Sequence, residues 1–205
     1  MTSPWPCYTD RLPTAWRRPE CAHVHPEELT ILARKRGLRP ADVEGPIFGI
    51  VIGAMPGANP TVMPLHPGAD SSAGALLMAW SGMPVGQWIG RLRRINLYDR
   101  AIDPWPLEGA KERAAAIRKM LADDLEARRA STSDAGPLKL LLLGMRVSAA
   151  FGIELPMQAV EIDGHCYRSI PHPGIRSKIY DDKKNQMAAG IAARATAGFR
   201  VGNAL

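Results

Sequence analysis

Ile47-Phe48-Gly49-Ile50-Val51-Ile52-Gly53-Ala54-Met55-Pro56-Gly57-Ala58-Asn59-Pro60 is a nearly continuous apolar run that passes into a loop dense in glycine and proline. A strand with one wet face alternates apolar and polar residues, whereas an unbroken run suits a strand buried on both faces of a parallel sheet. Ile47–Ile52 is therefore read as the first strand. The loop after it allows tight turns and close approach of backbone to a ligand. It does not end in the Lys-Ser/Thr of a phosphate-binding P-loop.

Working downstream, Asp70, Ser71 and Ser72 signal the start of a helix over Ser71–Trp80, and Arg94–Tyr98 reads as a second, shorter strand. A long helix is predicted from about Leu107 to Arg129. Its Leu107, Ala110, Ala114, Ile117, Leu121 and Leu125 recur at three- or four-residue spacing and make one apolar face. Leu138–Leu143 is a third strand closed by Gly144, with Met145–Phe151 as the next helix. Ala159–Ile162 and His165–Ile170 flank Asp163-Gly164, a dipeptide suited to a two-residue hairpin turn. Met187, Ile191 and Ala195, with Ala188 and Ala192, predict a C-terminal amphipathic helix. Upstream, residues 1–26 hold five prolines among polar residues and read as an irregular arm, followed by a short helix over Glu27–Arg36 that Gly37 stops. The alternation of strands and helices predicts a three-layer α/β/α sandwich with a mainly parallel central sheet of about four strands, formed by residues 27–205 as one domain.

A chain of 205 residues that is 46% apolar is long enough for one buried core. Its net charge of +6 favours a polyanionic partner, although many soluble proteins carry as much. Cys7, Cys21 and Cys166 are odd in number and far apart, which argues against a disulfide framework or a zinc site. No apolar run approaches the roughly 18 residues of a membrane span, so a soluble, cytoplasmic monomer is expected.

In such sheets ligands bind outside the carboxyl ends of the strands, so the loops after Ile52, Tyr98, Leu143 and Ile170 should converge on one cleft. Four pieces of sequence in these places resemble the uracil-DNA glycosylase superfamily, in order from about Pro46 to Tyr180. Gly53-Ala54-Met55-Pro56-Gly57 is similar to that family's first motif, Gly-x-x-Pro-Gly. Ala73-Gly74-Ala75-Leu76-Leu77 is similar to its Ala-Gly-x-x-Leu helix start. Asn96 stands where the second strand carries a base-reading asparagine. His172-Pro173-Gly174-Ile175-Arg176-Ser177, with Tyr180 beyond, resembles the second motif, which begins His-Pro after a strand.

The resemblance implies a base-flipping DNA glycosylase with DNA as partner and a substrate pocket lined by Gly53, Ala54, Met55, Pro56, Gly57 and Asn96. An asparagine offers one acceptor and two donors, enough to pair with the O4 and N3–H edge of a pyrimidine-like base. His172 would donate to O2 as negative charge gathers there during glycosidic cleavage. Ile175 would wedge the duplex while Arg176, Ser177 and Lys178 contact the backbone, offsetting the few kcal/mol of base extrusion. The plainer alternatives are a strand-end asparagine that satisfies local backbone, a structural histidine before proline, and an exposed basic loop.

One departure bears on the chemistry. Family members usually place a water-positioning Asp, Asn or Glu at the second or third position of the first motif, where this chain has Ala54 and Met55. Neither can orient or deprotonate water, which leaves Asn59 or Asp70 as candidates. Met55 would instead suit a roomier pocket for a modified base. Branches with an iron–sulfur cluster use four cysteines, so no cluster, metal or other cofactor is expected here. Two further classes stay open: a base-flipping enzyme that alters the held base by group transfer, and a non-catalytic protein that binds modified DNA.

Overall fold

The structure is a computed structural model that describes residues 48–55, 73–98, 101–131, 137–154, 159–174 and 177–199. The N-terminal arm, the helix over Glu27–Arg36 and the boundary between residues 26 and 27 lie outside them. The elements are β1 (Gly49–Gly53), α1 (Ala73–Ser81), α2 (Val85–Arg91), β2 (Leu92–Asn96), α3 (Leu107–Ser131), β3 (Lys139–Leu143), α4 (Met145–Ala150), β4 (Ala159–Ile162), β5 (His165–Ile170), a 3₁₀ turn (Lys178–Asp181) and α5 (Lys183–Thr196). They form an α/β fold around a five-stranded sheet in the order β2-β1-β3-β5-β4. The first four strands are parallel and β4 pairs antiparallel with β5.

The continuous apolar runs are explained by which core each residue enters. In β1, Ile50 and Ile52 pack with α3 and α4 on one face, and Val51 packs with α1 and α5 on the other. In β3, Leu140 and Leu142 face the first core and Leu141 and Leu143 the second. Both faces of these strands are dry, so no polar alternation is possible. The chain steps from β1 to β2 on one side and returns to β3 on the other, which puts the reversal of strand order at the carboxyl ends of β1 and β3. Ligands of such sheets bind at that place.

Several sequence expectations need correction. The sheet has five strands rather than about four, because the hairpin adds β4 as an antiparallel edge. The second strand begins at Leu92 and ends at Asn96, two residues earlier than Arg94–Tyr98, although Leu97 and Tyr98 keep donating to the carbonyls of Gly53 and Ala54 at 2.9 and 3.0 Å. The helix read over Ser71–Trp80 is described from Ala73 to Ser81, and α2 was not anticipated at all. The apolar face read for the C-terminal helix is also displaced. Met187 is 60% exposed and Ala188, Ile191 and Ala195 are half-buried; of the predicted residues Ala192 is buried, and α5 buries Ala189, Gly190, Ala193 and Thr196 beside it. A Cβ at Gly190 would collide with the carbonyl of Trp80, so this face is chosen for closeness to α1 rather than for bulk. In α3 the predicted stripe is buried from Ala110 to Leu125, with Leu107 left partly exposed.

The hairpin turns at Asp163 (φ 53°) and Gly164 (φ 74°), the left-handed pair its dipeptide is suited to. His165 ties it inward: Nδ1 accepts from the Leu138 amide at 3.1 Å while Nε2 faces the Leu121 carbonyl at 3.0 Å. No described helix is long and apolar enough to cross a membrane.

Candidate functional site

The site is built outward from the register of the sheet. Gly53 and Asn96 are paired residues at the ends of β1 and β2. The Asn96 carboxamide lies over Gly53 so closely that a Cβ there would meet Oδ1, which explains the glycine. Asn96 is only 3% exposed as a residue, no described group hydrogen-bonds its carboxamide, and its polar atoms are not among the fully enclosed atoms that lack a partner.

Met55 follows β1 but turns toward the loop after β2. Its sulfur accepts from the Ile102 amide at 3.3 Å, and its side chain packs against the core shared with α3 and α4. In the described part of the first motif, therefore, Ala54 and Met55 supply no group that orients water. Pro56, Gly57, Asn59 and Asp70 lie outside the described residues.

His172 follows β5 and sits over Gly144, the residue that ends β3. A Cβ added to Gly144 would be 3.1 Å from that of His172, and Gly144 has a φ of 88° that suits glycine. The Gly144 amide donates to the Ile170 carbonyl at 2.8 Å, which locks the two strand ends together. The loop is further held by Gly174 N–H to the His172 carbonyl (2.9 Å), Ser177 N–H to the Gly174 carbonyl (2.9 Å), and the Tyr180 hydroxyl to the Pro171 carbonyl (2.7 Å). Tyr180 packs on Trp80 with ring centroids 4.6 Å apart, and burial pushes its phenol up to about 12, so it stays a donor across the physiological range. The His172 side chain is solvent-exposed, and the hydration its ring loses to the neighbouring loop lowers its pKa from the ordinary 6.5, which favours the neutral imidazole.

Of the proposed DNA-contacting residues, Ser177 and Lys178 lead into the 3₁₀ turn with Lys178 exposed, and Ile175 and Arg176 lie outside the described residues. The described candidate residues thus lie along one sheet edge in two groups, Gly53 with Asn96 and Gly144 with His172. Among the described residues no three His, Cys, Asp or Glu side chains are placed to hold a metal ion.

Four residues that the sequence reading passed over form a stack on and after the loop that carries Ile102, the partner of Met55. Arg113 of α3 stacks on Tyr98 at 4.5 Å and donates to the Leu97 carbonyl at 3.2 Å. Tyr98 meets Trp105 edge to face at 5.4 Å, and Arg146 of α4 lies over Trp105 at 5.7 Å. The available signal was position alone: Trp105 follows the second strand and Arg146 comes two residues after Gly144. Comparison of the chain with protein-family models, curated proteins and solved structures returned no match.

Proposed function

We propose that this chain is a uracil-DNA glycosylase-like enzyme that holds a pyrimidine-type base, plain or modified, flipped out of DNA and cleaves its N-glycosidic bond. The supporting observation is that Asn96, whose carboxamide is committed to no described hydrogen bond, stands at the carboxyl edge of a parallel sheet that carries His172 three strands away. At about 4.8 Å per strand that separation is roughly 14 Å. Two hydrogen bonds of about 2.9 Å and one pyrimidine ring fill most of it, and the reach of the two side chains fills the rest. Asn96 would read the O4 and N3–H edge while the neutral His172 N–H meets the charge that develops on O2.

A second reading rests on Met55. Because its sulfur is engaged by Ile102 and Ala54 is apolar, the first motif suits a site from which water is excluded, as a group transfer to the held base would require. One assay separates the readings. Oligonucleotides carrying uracil, 5-hydroxymethyluracil or a bulkier 5-substituted pyrimidine are incubated with the protein and heated in alkali. Cleavage at the modified position that His172→Ala abolishes supports the glycosylase. Intact strands with a changed base mass after a donor is added support transfer. Binding without either product leaves only recognition of modified DNA and overturns both enzymatic readings.

A further inference from the structure

The stacked pair Arg146–Trp105 and Arg113–Tyr98 is not used by the base-reading groups. Trp105 lies on the loop after β2 and Arg146 follows β3, so their contact crosses the carboxyl end of β1, which stands between those strands. Ile102, on the same loop as Trp105, is the residue that engages Met55. The pair therefore borders the first motif.

Among the described residues neither guanidinium has a carboxylate partner: the ion pairs there are Lys111–Glu108, Arg118–Asp163 and Lys119–Asp123. Arg113 is half-buried and used at one nitrogen by the Leu97 carbonyl, while Arg146 is exposed. A guanidinium lying on an aromatic face keeps its N–H edge directed outward, and its planar fork matches the oxygens of a phosphate. Two such cations on two rings that touch each other give a positive wall that no described carboxylate neutralises by an ion pair.

We propose that Arg146, backed by Arg113, is an anion subsite that takes a backbone phosphodiester of the strand whose base the cleft holds. This rests on the nucleic-acid reading above and adds to it a strand contact away from the His172 loop. Trp105 acts as a positioning residue that holds the Arg146 guanidinium in place.

The test is titration of a labelled oligonucleotide with one 5-hydroxymethyluracil, over a series of salt concentrations, using wild type, Arg146→Gln and Arg118→Gln. Arg118→Gln, which breaks only the ion pair to Asp163, serves as the charge-matched control. Arg146→Gln is expected to weaken binding about three- to tenfold at low salt and to reduce the slope of log K against log salt by about one. Arg118→Gln should match wild type. Methylphosphonates are then placed singly at the phosphates around the modified base. One position should weaken wild type and leave Arg146→Gln unaffected, because that contact is already gone. Equal slopes for wild type and Arg146→Gln, or equal sensitivity of both at every position, would overturn the subsite while leaving DNA binding intact. A wild-type protein that binds no oligonucleotide at all would instead overturn the nucleic-acid reading, and the subsite with it.

Discussion

The two groups at the carboxyl edge of the sheet are built in opposite ways. Where β1 and β2 end, a glycine makes room for a carboxamide that no described residue holds by a hydrogen bond. Where β3 and β5 end, His172 is fixed by backbone bonds on both sides of it and by the Tyr180 hydroxyl, with Trp80 stacked behind. The first corner thus leaves the hydrogen-bonding capacity of one amide uncommitted to any described residue, which is the feature the proposed base recognition would use. The second braces the backbone that carries the His172 imidazole.

The largest expected effect tests the first corner. Asn96→Ala removes the amide proposed to read the base without breaking any described hydrogen bond, so turnover of a modified-base oligonucleotide should fall by at least about 10²-fold while Tm hardly moves. A large Tm loss with unchanged turnover would make Asn96 structural and erase the contrast. Gly53→Ala attacks the same corner from the backbone. Its Cβ would occupy the place of Oδ1, and overpacking of this kind costs about 1–3 kcal/mol, so both Tm and oligonucleotide affinity should drop. Asn96→Ala combined with Gly53→Ala should restore much of the stability, since the clashing atoms are then absent; strictly additive losses would refute the contact.

How far this contrast was legible depended on whether the signal was local. The hairpin at Asp163-Gly164 was readable because its turn chemistry lies in two adjacent residues, and β1 and β3 because burial on both faces leaves apolar runs. The start of β2 was hidden by Arg93, a charged residue just before the predicted strand that is almost wholly buried in the fold. Gly86 and Gly90 masked α2, since glycine has a poor helix propensity. In α5 the search for bulky apolar residues chose Met187 and Ile191, whereas contact with α1 selects small ones, a requirement set by a partner distant in sequence. In the site, Asn96 and His172 were legible as residue types at strand ends. The aromatic and arginine stack was not, because Tyr98, Trp105, Arg113 and Arg146 come together only through tertiary packing.

The second corner yields a smaller effect. Tyr180→Phe leaves the Pro171 carbonyl without its donor and keeps the ring on Trp80, so the loss should be about 1 kcal/mol, or a Tm lower by about 2–4 °C for a chain of this size. If the brace positions His172, turnover should fall with little change in binding. Unchanged turnover alongside the lowered Tm would reduce Tyr180 to a structural tie.

The smallest effect is the most specific to the mount. Because lost hydration lowers the pKa of His172, the unfolded chain binds a proton more readily than the folded one between the folded pKa and the ordinary value of about 6.5. The stability associated with the neutral ring is therefore fully present above about pH 6.5 and is lost as pH falls through the folded pKa. NMR titration of the imidazole, assigned with His172→Gln, should give a midpoint below 6.5, and kcat/KM should stay level from there into the alkaline range as far as this residue governs it. A midpoint at or above 6.5, or activity that falls as the ring loses its proton, would mean that the cleft presents an imidazolium. In that case the stiff corner would bring a full positive charge to O2 in place of a neutral donor, and the division of labour between a waiting amide and a neutral, mounted imidazole would have to be abandoned.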